Sequence, residues 1–202
     1  MVAMQSLDFY FDFGSPYAYF AALRIDALAA RHDRAVCWRP FMLGSAFRKT
    51  GMAPLLQQPM RGDYARRDWV RLARRMGVPF VLRDDFPLVA LAAARIFYWI
   101  AATNPDQARR YALRIFHAYF GQGRDMTRAE ECAGEAVAVG IDPVQAIAAA
   151  KDPAWKEKLK IEGTLALARG VFGSPYFLVD DEPFWGNDRL DDLERWLETG
   201  GW

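Results

Sequence analysis

The chain has 202 residues, 52% of them apolar and 25% charged, a composition that excludes a disordered or fibrous protein and allows one generous domain or a domain carrying an insertion. Its 26 basic and 25 acidic side chains leave a net charge of +1, so no overall field draws it to nucleic acid or an anionic membrane. Cys37 and Cys132 stand far apart, outside any metal or Cys-x-x-Cys spacing, which excludes a zinc site and a dithiol redox pair.

The opening MVAMQSLDFYF has no basic segment followed by a continuous apolar one, so no secretory signal is expected. Apolar stretches fall short of the ~20 residues of a membrane-spanning helix, and a cytoplasmic protein is the expectation. Leu7, Phe9, Phe11 and Phe13 alternate with Asp8, Tyr10 and Asp12, the period of a strand. Ser15 then suits a helix N-cap, with Pro16 at the first helical position, and the helix is expected to run to about His32. Residues 35–40, AVCWRP, form a second strand and complete a right-handed β-α-β unit.

From Phe41 to Met60 the Gly-, Pro- and Gln-rich sequence predicts a long ordered loop, a kind of segment that is usually functional. Helices are predicted over Asp63–Met76, Leu88–Ala102, Pro105–Tyr119 and Thr127–Val139, the last opened by a Thr127/Glu130 capping box, and over Pro153–Arg169 with Gly163 inside. The arginines between Arg61 and Arg75 read as a solvated helix face or as an attraction for a small carboxylate. Tyr176–Val179 and Phe184–Trp185 are strands around an Asp180-Asp181-Glu182 turn, and Leu190–Leu197 is an amphipathic helix. The order predicts an α/β fold in which residues 1–60 and 170–202 build one domain and residues 61–169 a helical insertion.

Two corners carry chemistry. At FYFDFGSPYAYF, Ser15 is either a plain cap or a hydroxyl placed for a ligand. At GVFGSPYFLVDDEPFWGNDRL, Pro175 directly precedes a strand, either as a trans proline at its start or in a cis bond that frees the Ser174 backbone for an extended peptide. His32 and His117 are isolated, and Phe97, Tyr98 and Trp99 suit a core.

Those two motifs, with TGMAP, GVPF and the helical middle, make the whole chain resemble the thioredoxin-like family of 2-hydroxychromene-2-carboxylate isomerases and kappa-class glutathione transferases. The resemblance implies a thioredoxin-like fold in which Ser15 occupies the corner of the usual redox cysteines and stands beside the thiol of glutathione. It further implies that Ser174, before a cis Pro175, bonds the cysteinyl backbone of glutathione, and that Trp185, Gly186, Asn187 and Asp188 hold its γ-glutamyl end, with Arg189 assisting or pairing at the surface. Phe47, Met52, Arg61 and Phe86 fall at substrate positions. Met52 stands where members commonly carry Asn, Phe47 where isomerases carry Lys, and Arg61 where a Lys is usual. The implied activity is isomerisation of 2-hydroxychromene-2-carboxylate or a related aromatic compound through thiolate addition, bond rotation and elimination, in a homodimer. A transferase that keeps the thiolate on a small apolar electrophile, and a glutathione-binding dimer without turnover, are the alternatives.

Overall fold

The computed structural model describes residues 6–202, so the expectations resting on residues 1–5 lie outside it. Four strands form one mixed sheet in the order β2-β1-β3-β4: β1 (Ser6–Phe11), β2 (Ala35–Pro40), β3 (Tyr176–Val179) and β4 (Glu182–Trp185). β1 runs parallel to β2 with Phe9 opposite Trp38, and antiparallel to β3 with Phe9 opposite Phe177. The alternation of β1 separates two buried faces. On one, Phe9 packs against Trp38 and Phe177 at ring distances of 5.0 and 5.3 Å. Phe11 continues that face to Phe97 and Phe116 of the inserted helices, at 6.0 and 5.5 Å. Strands and inserted helices therefore share one hydrophobic core.

On the opposite face a carboxylate lies buried. Asp8 accepts from Arg39 Nε on the neighbouring strand at 2.6 Å and from Arg169 Nη1, which also donates to Tyr10 Oη at 2.9 Å. A charge at 7% exposure is tolerated because two guanidiniums meet it.

The helix expected from Pro16 to His32 is two short ones, α1 (Pro16–Ala22) and α2 (Ile25–Ala30). Arg24 N–H closes the first on Ala21 O at 3.0 Å, and the Arg24 side chain turns to Asp191 at 2.6 Å. The expected loop 41–60 instead contains α3 (Leu43–Thr50), closed by Gly51 at φ 73°, and a 3₁₀ turn over Leu55–Gln57. The insertion comprises α4 (Arg61–Met76), α5 (Leu91–Ala101), α6 (Pro105–Phe116), a π turn (His117–Gly121), α7 (Ala129–Val137), α8 (Pro143–Lys151) and α9 (Pro153–Ala168). The capping box does not form: the Thr127 N–H and hydroxyl both donate to Asp125 Oδ1, at 2.9 and 2.6 Å, and α7 begins two residues later. No helix among the described residues is long and apolar enough to cross a membrane. After β4 a 3₁₀ turn (Asn187–Arg189) leads into α10 (Leu190–Thr199).

Candidate active site

Two segments distant in sequence meet at the end of β1. Ser15 caps α1, accepting from Ala18 N–H at 3.3 Å, and also donates to the Ser174 carbonyl at 2.9 Å. Ser174 Oγ accepts the Asp12 N–H at 2.8 Å. The Ser174–Pro175 bond is cis, as the resemblance implied. Among the described residues the Ser174 N–H has no backbone acceptor, so one edge of this loop is open for pairing.

The next layer comes from β4 and the turn after it. Gly186 N–H donates to Pro175 O at 3.1 Å, and the glycine holds φ 115°, a conformation L side chains rarely adopt. Trp185 packs edge-on against Phe172 at 4.8 Å and lies so close over Gly173 that a Cβ there would stand 2.1 Å from its Nε1. Asn187 is buried at 4% exposure, and its Oδ1 has no hydrogen-bond partner among the described residues. Asp188 and Arg189 are exposed; Arg189 pairs with Asp192 at 2.8 Å and Asp188 at 3.3 Å, so its guanidinium is engaged at the surface.

A cleft of about 1380 Å³ opens beside these groups. It is lined by Ser15, Ser174, Pro175 and Trp185 through Arg189 on one side. On the other stand Phe47 of α3, Met52 after it, Arg61 at the start of α4, and Phe86. Every residue that the resemblance placed at the ligand or substrate thus borders the same space. Arg48 and Arg61 bond neutral partners, Ser45 Oγ at 3.1 Å and Gln58 Oε1 at 2.8 Å, which leaves both cations able to attract a carboxylate. On α4 the arginines are exposed, as a solvated helix face, and Arg61, Arg71 and Arg75 among them also line the cleft.

Three features went unforeseen. A second cis bond, Phe86–Pro87, shapes the wall, and Tyr119 Oη in the π turn holds the next residue by accepting Leu88 N–H at 3.2 Å. Tyr17, two residues beyond Ser15, donates its hydroxyl to Asp68 Oδ2 at 2.9 Å, while Arg71 takes Asp68 Oδ1 at 2.6 Å. Burial, then the bond to Asp68, raise the Tyr17 pKa, so its phenol stays protonated. Asp12 also lines the cleft, and burial raises its pKa against the pull of two backbone N–H bonds. Only Tyr17 carried a local signal, its place in the Ser-Pro-Tyr-Ala corner.

Residues 6–198 match the DSBA-like thioredoxin domain. The chain belongs to that family. Within the DSBA-like thioredoxin proteins it is 32% identical, over 96% of its own length and 98% of the relative's, to a 2-hydroxychromene-2-carboxylate isomerase of Sphingobium xenophagum. A solved 2-hydroxychromene-2-carboxylate isomerase superposes with a TM-score of 0.86 at 28% identity, covering 95% of this chain and 94% of that one. A kappa-class glutathione S-transferase of Caenorhabditis elegans is 24% identical over 94% of this chain and 90% of its own. No cysteine stands at the corner that carries Ser15; Cys37 is exposed and Cys132 buried elsewhere. The chain is thus a DSBA-like protein of the 2-hydroxychromene-2-carboxylate isomerase type, with kappa-class transferases as more distant relatives.

Proposed function

We propose that the protein is a glutathione-dependent isomerase of 2-hydroxychromene-2-carboxylate or a related, more apolar aromatic compound. The observation that carries this reading is the buried, unpartnered Asn187 Oδ1 in the same cleft as the Ser15–Ser174 contact. A buried acceptor without a donor costs free energy, of order 1–3 kcal/mol, and such a cost is tolerated where a ligand supplies the donor. The ammonium of a γ-glutamyl group is a donor of the right kind. Gly173 and Gly186 let the Trp185 ring and the Asp188 carboxylate lie where a Cβ would stand; with the buried Asn187 acceptor and the Ser174 N–H in the same cleft, this set of groups fits glutathione.

Bound glutathione would supply a nucleophilic sulfur that is also a good leaving group. The protein's own groups have separate tasks. Asn187, Asp188 and Trp185 hold the γ-glutamyl end, with Arg189 beside them. The free Ser174 N–H, beside cis Pro175, holds the cysteinyl backbone. Ser15, by turning its hydroxyl from the Ser174 carbonyl to the sulfur, favours the anion over the neutral thiol. Phe47, Met52 and Phe86 exclude water from the aromatic body of the substrate. Arg61 and Arg48 attract its carboxylate.

A second reading is favoured by one observation: Phe47 and Met52 give the wall an apolar surface, which suits a transferase that keeps the sulfur on a small electrophile. Product analysis decides. Incubation with glutathione and hydroxychromene carboxylate should give an isomer of equal mass with glutathione recovered. Stoichiometric consumption of glutathione, with the chromene or with a small apolar aromatic electrophile, would indicate the transferase, and no glutathione-dependent product from either compound would overturn both.

A further inference from the structure

Asp12 joins three parts of the cleft that no other residue joins among the contacts described above. It lies between β1 and Ser15, and its backbone serves both sides: its carbonyl accepts Ser15 N–H at 2.9 Å and its N–H donates to Ser174 Oγ at 2.8 Å. Its side chain reaches elsewhere. Oδ1 accepts Gly14 N–H at 2.8 Å, and Oδ2 accepts Leu43 N–H at 2.7 Å. Leu43 is the first residue of α3, whose own N-cap, Met42, offers no side-chain bond. The start of α3 is therefore capped from the Ser15 corner, 31 residues back in the chain. α3 carries Phe47 and leads to Met52. A carboxylate held partly out of water is an expensive way to hold a loop unless the hold itself matters.

We propose that Asp12 is a positioning residue, which fixes the spacing between the Ser15–Ser174 end of the cleft and the α3 wall and so governs selection of the aromatic substrate and not capture of glutathione. This rests on the function proposed above. Beyond the backbone bond from Phe41 N–H to Phe11 O at 2.8 Å, which ends the β1–β2 ladder, Asp12 ties the start of the wall to the corner, so loosening it displaces Phe47 and Met52 while Ser174, held by the Asp12 backbone, and the Trp185–Asn187 end keep their places.

Asp12→Asn leaves one acceptor oxygen and turns an amide donor against a backbone N–H. The second variant, Leu43→Pro, deletes the donor from the other side with Asp12 intact; Pro suits a first helical position, and Met42 at φ −94°, ψ 106° has the extended backbone that a residue before proline needs. Hydrogen exchange of α3 amides 44–50 in the ligand-free proteins is the first readout, with α10 as internal reference. Both variants should exchange about tenfold faster in α3 alone, the loss of one buried bond. Calorimetry and kinetics are the second: glutathione Kd should move less than about threefold while KM for the aromatic substrate rises about tenfold. Unaltered α3 exchange in both variants, or equal losses in glutathione Kd and substrate KM, would overturn the proposal. If the wild-type protein itself fails to bind glutathione, the functional reading falls first, and the claim on substrate selection falls with it.

Discussion

The Ser15 hydroxyl donates to the Ser174 carbonyl at 2.9 Å, across 159 residues of sequence, and the same oxygen caps α1. The hydroxyl is thus structural before any ligand arrives. Ser15→Ala removes a cap, worth about 1 kcal/mol, and strips a buried carbonyl of its donor, for a combined loss of about 1–3 kcal/mol. Urea unfolding should show that loss at unchanged m-value. A variant as stable as wild type would mean that the contact contributes nothing.

Asn187 and Asp188 separate by burial. Asn187 is 4% exposed with an unpartnered oxygen, whereas the Asp188 side chain is 74% exposed and shared with Arg189. Asn187→Ala should weaken glutathione binding by about tenfold or more, and Asp188→Ala by less, because solvent screens an exposed pair. Isothermal calorimetry on both variants checks the order. A larger loss at Asp188 would shift recognition of the ammonium to that carboxylate.

The substrate wall should be readable as a preference. With Phe47 and Met52 facing the cleft, the protein should turn over hydroxychromene carboxylate poorly and favour a more apolar aromatic electrophile. Phe47→Lys with Met52→Asn should reverse that preference by about tenfold or more in kcat/KM, the usual weight of one polar contact in discrimination. Efficient wild-type turnover of the chromene would assign the polar role to Arg48 and Arg61.

The two thiols should differ in reactivity. Cys37 is exposed, while burial pushes the Cys132 thiol up to about 12, and its Sγ donates to Met126 O at 3.2 Å. An aromatic disulfide reagent at neutral pH should modify one thiol quickly and the second only after unfolding. Rapid reaction of both would place Cys132 in an open environment.

What could be read from the sequence was local. The Phe9-Phe11-Phe13 alternation and the Ser15-Pro16 cap each depend on neighbours within a few residues; the strand forms up to Phe11, one step short of Phe13, and the cap forms as expected on a helix shorter than expected. α3 was hidden because Gly44, Gly51 and Pro54 mark its stretch as loop, while the group that caps it sits on Asp12, far back in the chain. α8 did carry a signal, Asp142 accepting from Val144 N–H with Pro143 at the first helical position, overlooked in an Ala-rich run. The break between α1 and α2 has no sequence mark, since Arg24 is drawn off by Asp191. In the cleft, Ser15 and the Trp185–Arg189 run were legible as motifs. The Tyr17–Asp68 and Asp12–Leu43 contacts were not, because each joins segments that only the fold brings together.

The central claim, that Ser15 activates a thiol the protein does not itself supply, is tested most directly by titrating the ultraviolet thiolate absorbance of the glutathione complex against pH. The hydroxyl of Ser15 and the first turn of α1 both favour the anion. A free cysteinyl thiol ionises near pH ~8.5, and the wild-type complex should ionise about two units lower, equivalent to ~2.7 kcal/mol of preference for the thiolate. In Ser15→Ala a large part of that shift should vanish while glutathione still binds. Coincident titrations of the two complexes would contradict the claim and leave Ser15 as a cap and a tether.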